Sequence, residues 1–196
     1  MRLIISMVLV LLCFHFSMGQ KISKSVWNYS QTESNGLLIE NSLPKGGGYT
    51  DTNGKTFVYR VYFTRVANEG NIPMELTVNF PTDSFPIPSS PDFKIRFFIP
   101  SDTMTLAKEK SYGYGLNLKS LFDADVVKPN KLHGIINPKE DRLFYVVEVF
   151  CSDPNSGYNG NGVGRAEVVL KGQNLFYSIN LLDPLQIPIG NIAVRK

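Results

Sequence analysis

The sequence predicts an all-β fold: a single antiparallel β-sandwich, jelly-roll or immunoglobulin-like, with one or two short helical turns. Three observations lead there. Apolar residues recur with period two through 57–63, 74–80, 93–99, 166–170 and 175–181, as strands with one face on a core require. No segment carries the apolar spacing of a long amphipathic helix. Clusters of Gly, Pro and Asn punctuate the chain between the strands. A closed, ligand-holding β-barrel is the alternative architecture.

Residues 1–19 read as a signal peptide, with Arg2, an apolar run from Leu3 to Phe16, and small Ser17 and Gly19 before a cut. The run falls short of the roughly 18 to 20 residues that cross a bilayer. Cys13 does not suit a lipoprotein cut, because bulky Val10, Leu11 and Leu12 precede it. Cleavage near Gly19 gives a secreted, periplasmic or cell-surface chain starting at Gln20, with no transmembrane segment. The remaining 177 residues suffice for one domain burying about 70% of its unfolded surface. Cys151 is the one cysteine left, so the core carries stability without an internal disulfide. With no Lys, Arg or His nearby to activate the thiol, Cys151 reads as a small buried hydrophobe.

After the cut, 19 basic residues face 17 acidic ones. This net charge of +2 includes no basic cluster of the kind that follows a phosphate backbone, which argues against nucleic acid as a partner.

Residues 20–36 form a polar arm, and 37–196 the sandwich domain. The arm holds Trp27, the single tryptophan, read as an anchor or as a binding platform. Asn28-Tyr29-Ser30 matches a glycosylation sequon. Leu37–Glu40 reads as a short strand, and Gly46–Gly48 as a connection that breaks regular structure. Thr56–Val66 and Met74–Phe80, separated by Asn68-Glu69-Gly70-Asn71, read as an antiparallel hairpin. Pro81, Pro86, Pro88 and Pro91 make a stiff crossover between sheets, unable to join a ladder. Phe93–Ile99 is a further strand, with Phe98 an apolar exception on its polar side.

Ser101–Asp125 is the non-strand region. Asp102 or Thr103 caps a helical turn over Met104–Lys110, and Leu118–Phe122 forms a second. Between them Tyr112-Gly113-Tyr114-Gly115 sets two aromatics on a loop. Tyr112 and Tyr114 are candidate binding residues, since tyrosines offer rigid amphipathic surface at little entropic cost; either also suits the end of a core. Asp123 and Asp125 are too few for a calcium site. His133 is the only histidine beyond the leader and reads as a loop residue.

Leu143–Phe150 is apolar on both alternating faces except at Glu148. Such a segment must lie inside a sheet, because an exposed edge of this composition pairs with other chains. The loop after it resembles a calcium loop only by eye, since the required spacing fails. Its Tyr158 is a further candidate binding residue. Ala166–Leu170 and Leu175–Leu181 make a second hairpin, and Ile187–Val194, interrupted by Pro188 and Gly190, reads as a final edge strand.

The chemistry that emerges is that of a binding or structural module. The sequence shows no nucleophile elbow, metal-spaced cluster or nucleotide fingerprint, so no catalytic residue, metal or cofactor is assigned. The expected partner is a protein or a carbohydrate, met through Tyr112, Tyr114, Tyr158 and Trp27. The alternatives are a secreted hydrolase using His133 or a carboxylate pair such as Asp123 and Asp125, and the ligand-holding barrel.

Overall fold

A computed structural model describes residues 30–34, 36–54, 56–87, 90–122, 131–151, 164–180 and 184–195. The fold is an all-β sandwich of two antiparallel sheets. The larger sheet holds β1 (Ser30–Ser34), β2 (Leu37–Asn41), β3 (Lys45–Thr50), β4 (Thr56–Asn68), β6 (Phe85–Ile87), β7 (Ser90–Phe98) and β9 (Asp141–Cys151). Its order is β1-β2-β4-β9-β7-β6, with β3 on the same β4 edge as β2. The smaller sheet combines β5 (Met74–Asn79), β8 (Lys131–Ile136), β10 (Ala166–Lys171), β11 (Asn174–Ile179) and β12 (Leu185–Val194) in the order β10-β11-β12-β5-β8.

The strand over Leu143–Phe150 is central, as its composition requires. β9 lies between β4 and β7, and Phe144 to Phe150 are all buried. Its two faces serve two cores. Phe144, Val146 and Phe150 point between the sheets, among Ile39, Val66, Leu76, Phe97, Tyr177 and Ile192. Tyr145, Val147 and Val149 point the other way and, with Tyr59, Val61 and Phe63 of β4, pack under Met104, Tyr114 and Leu116. Each fully buried large apolar side chain contributes about 2 kcal/mol. The segment 104–122 is therefore a lid for a second core. It contains helical turns where expected, a 3-10 turn at Leu106–Lys108 and α1 at Leu118–Phe122, but Thr105, not Asp102 or Thr103, stands at the start of the first.

Several expectations are corrected. β4 and β5 are not a hairpin, because they belong to different sheets. Asn68, fully buried at the corner, donates through Nδ2 to the carbonyls of Ile72 (2.8 Å) and Ile136 (2.9 Å), turning the chain across the sandwich. β4 is buried on both faces, not half-buried. The glycines of 46–48 sit in strand β3, which forms the true hairpin with β4. A Cβ at Gly46 would lie 2.3 Å from the Tyr59 carbonyl oxygen, so close backbone packing is what selects glycine there. Residues 30–34 of the arm form β1, which pairs with β2.

The proline-rich crossover passes between sheets as expected, yet its middle forms β6, with Pro86 opposite Lys94 on the sheet edge, where a missing N–H is tolerated. β12 is not an edge strand: it sits between β11 and β5. Its first half pairs with β11 alone and β5 joins only from Gly190 onward, so Pro188 lies where just one neighbour is present. His133 lies on strand β8 rather than in a loop. The β10–β11 hairpin forms as expected, turning through Gly172 at φ +64°.

Candidate functional site

The lid brings the two loop tyrosines into different situations. Gly113 (φ +52°), Tyr114 (φ +56°) and Gly115 (φ +67°) are three consecutive left-handed residues, a conformation that costs a non-glycine residue about 1–2 kcal/mol. Tyr114 is held there from several sides. Its hydroxyl donates to the Leu43 carbonyl (2.5 Å), and its own carbonyl accepts from the Tyr145 hydroxyl (2.8 Å). Its ring meets Phe63 edge-on at 4.8 Å, with the Lys45 ammonium 4.1 Å from the ring centroid. Burial pushes the Tyr145 hydroxyl up to about 12, so it stays a donor at neutral pH. Tyr114 is thus a core residue, only 4% exposed.

Tyr112, two residues earlier, is 74% exposed. Its hydroxyl lies 3.1 Å from that of buried Tyr59, and a Cβ on Gly47 would sit 3.3 Å from it. The bare glycine strand β3 thus makes room for the Tyr112 side chain. Burial first, and the Tyr112 hydroxyl second, raise Tyr59 well above the ordinary tyrosine range. Further along the hairpin, Phe122 at the end of α1 stacks on Tyr49 (4.8 Å) and Phe57 (5.6 Å) and tilts against Tyr59 (5.7 Å). Tyr49, Phe57 and Phe122 are each partly exposed. Together with Tyr112 they form an aromatic surface over β3 and β4. Lys45 fastens the lid to β3 by donating to the carbonyls of Glu109 (2.6 Å) and Ser111 (2.9 Å).

Trp27, Tyr158, Asp123, Asp125 and the Cys151 side chain lie outside the described residues. His133 is on the exposed face of the smaller sheet, with Nδ1 3.3 Å from Thr77 Oγ1 and Nε2 3.4 Å from Glu75 Oε1. Among the described residues no three His, Cys, Asp or Glu side chains are placed to hold a metal ion, and no helix is long and apolar enough to cross a membrane.

A second polar group lies sealed between the sheets. Glu148, fully buried, accepts from the Tyr177 hydroxyl of the opposite sheet at 3.1 Å. Among the described residues its Oε2 meets no donor in good hydrogen-bond geometry, although the Tyr62 hydroxyl and Arg60 lie near enough to favour the charged carboxylate. Burial pushes the Glu148 carboxyl up to about 7, with Arg60 and the Tyr177 hydroxyl pulling in the other direction. Sealed from solvent, this group has no route to a substrate and serves the structure.

The sequence offers Tyr112 as a candidate and says nothing of its setting. The sequence assigns Phe57 and Tyr59 to a strand and Phe122 to a helical turn, and gives Tyr49 no role. The signal was a run of three glycines beside a strand with aromatics at alternate positions, since glycines leave room above a sheet for rings borne by its neighbours. Comparison with protein-family models, characterised sequences and solved structures finds no match for this chain. The reading of the site accordingly rests on its residues.

Proposed function

We propose that this chain is a secreted, non-catalytic β-sandwich that binds a protein or carbohydrate partner outside the cell or at its surface. One observation carries the reading: a largely exposed tyrosine, Tyr112, supported from below by Tyr59 and flanked by partly exposed Tyr49, Phe57 and Phe122. Rigid aromatic surface of this kind contributes contact area at low entropic cost, and its hydroxyls confer orientation. The signal-peptide character of residues 1–19 supports the compartment.

Glycan and peptide arrays probed with wild type and Tyr112→Ala test this. Tyr112 is 74% exposed, so the variant should fold normally and lose array signal at least tenfold. Binding unaffected by the substitution, or no binding beside turnover of a generic hydrolase panel, would defeat the proposal.

A second reading, a secreted hydrolase acting through His133, has one observation in its favour. Thr77, His133 and Glu75 are arranged as a hydroxyl, an imidazole and a carboxylate in line, the order of roles in nucleophilic triads. They lie on an open sheet face, with side-chain exposures of 63% for His133 and 46% for Glu75, rather than in a water-excluding pocket. Ester hydrolysis abolished by His133→Ala would support this second reading against the first.

A further inference from the structure

β9 has two neighbouring strands over only part of its length. β7 pairs with it from Lys94 opposite Cys151 to Phe98 opposite Val147. Beyond Phe98 the chain departs through Pro100, which has no N–H to offer a ladder, while β4 stays paired with β9 as far as Asp141. Among the described residues, the first half of β9 therefore has a strand on one side only. A cavity of about 480 Å³ stands on the vacated side.

Its walls lie above and below the plane of the larger sheet. Ile99, Leu132 and Phe144 belong to the core between the sheets, and Met104 and Leu143 to the core beneath the lid. A further strand beside β9 would send one row of side chains toward each. The backbone is arranged for the same guest. The Ser42 N–H donates to the Phe63 carbonyl at 3.0 Å, so Phe63 turns its backbone groups toward β2, and the next residue, Thr64, turns its own toward β9, opposite Phe144. Alternation then directs the N–H and C=O of Leu143 away from β4, to the cavity side. No described residue bonds them there.

Charge narrows the guest. Of the carboxylates lining the cavity, Asp141 accepts from Arg65 at 2.6 Å and Asp102 from the Asn117 N–H at 3.3 Å. The lining cations, Lys131 and Arg142, have no ion-pair partner among the described residues. A Cβ on Gly134 of β8 would lie 3.7 Å from Arg142 Cζ, so the guanidinium reaches across from the larger sheet to the smaller.

We propose that this cleft receives an extended segment of a partner protein, added as a strand beside Leu143 and carrying a carboxylate that meets Arg142 and Lys131. A free donor and a free acceptor on one strand edge select an extended peptide over a compact ligand, and the two cations select an acidic one. The site is separate from the Tyr112 surface and does not rest on it. A segment of this chain or a strand from a second copy would use the same edge, and the test separates them.

Amide exchange of the full chain comes first. The Leu143 N–H should exchange fast at every protein concentration, beside slow exchange at Phe144 and Val146, whose N–H groups face β4. Slow exchange of Leu143 in the free chain at all concentrations would mean that the chain covers its own edge, and slow exchange only at high concentration would mean a second copy; either overturns the proposal. The binding probe is a set of synthetic octapeptides alternating Thr and Val, each with one Glu at a different position, beside a matched Lys set. The best Glu peptide should slow Leu143 exchange and bind roughly tenfold more tightly than its Lys counterpart. Arg142 is exposed, so Arg142→Gln should erase that preference and leave exchange in the β10–β11 hairpin unchanged, with Lys131→Gln as a second variant that should weaken it. Tyr112→Ala should bind the peptide as wild type does. No binding by the Glu set, binding without protection of Leu143, a preference that survives both charge variants, or binding lost with Tyr112→Ala would each overturn the proposal.

Discussion

The Tyr177 hydroxyl of β11 donates to Glu148 Oε1 of β9 at 3.1 Å, joining the two sheets through the interior of the sandwich. Asn41 makes a comparable link nearer the edge. Its Nδ2 donates to the Val168 carbonyl (3.0 Å) and its Oδ1 accepts from the Val168 N–H (2.9 Å), so an amide side chain completes the bonding of strand β10.

Glu148 makes stability pH-dependent with a definite sign. Its carboxyl is raised from 4.5 to about 7 by burial, among Arg60, Tyr62 and Tyr177. The folded state keeps a proton that the unfolded chain releases in this window, so the contribution is full below about 4.5 and is lost as pH rises through about 7. The shift corresponds to roughly 3 kcal/mol. In urea unfolding, Glu148→Gln should gain on wild type by up to that amount between about pH 4.5 and about pH 8. A constant difference across the range would contradict the assignment.

Asn41→Ala should cost about 3 kcal/mol. It strips both Val168 backbone groups and the Thr64 hydroxyl, which donates to Asn41 Oδ1 at 3.0 Å, of partners inside the protein. Equilibrium denaturation is the check, and a loss under about 1 kcal/mol would mean that water replaces the amide.

Two glycines of β3 should respond oppositely. Gly46→Ala places a Cβ against the Tyr59 carbonyl oxygen, whereas at Gly48 the nearest atom is 4.0 Å away. Gly46→Ala should lower the melting temperature markedly and Gly48→Ala should leave it unchanged or raise it slightly, because the alanine restricts the unfolded chain. Equal effects would show that β3 does not lie this close to β4.

Val147→Asp should abolish folding. The side chain is 0% exposed in the core beneath the lid, and a buried unpaired carboxylate costs more than the few kcal/mol a domain of this size can lose. Soluble variant protein with wild-type melting would show that β9 is not central.

Much of this was legible locally. The two apolar faces of Leu143–Phe150 required an interior strand, and that strand now separates two cores. The Lys171–Asn174 turn and its flanking alternation gave the β10–β11 hairpin, whose partners are neighbours in sequence. Tyr112 and Tyr114 were not separable by sequence. Both flank Gly113, and only the placement of Leu43 and Tyr145 decides which ring is buried.

The sequence by itself determined that the alternating segments of β4, β5, β7, β10 and β11 are strands, because period-two alternation is a local property of the backbone. It also determined that β9 is covered on both faces, because its composition permits nothing else. The tertiary structure alone decided which sheet each strand joins. Strand β4 reads the same whether it turns back on β5 or sends it across the sandwich, and the choice falls to Asn68 bonding to Ile136, 68 residues away. It also decided that Gly46–Gly48 form a strand beneath Tyr112, and that Glu148 meets Tyr177. Each of these depends on contacts between segments distant in the chain, and their energies exist only once the sheets have come together.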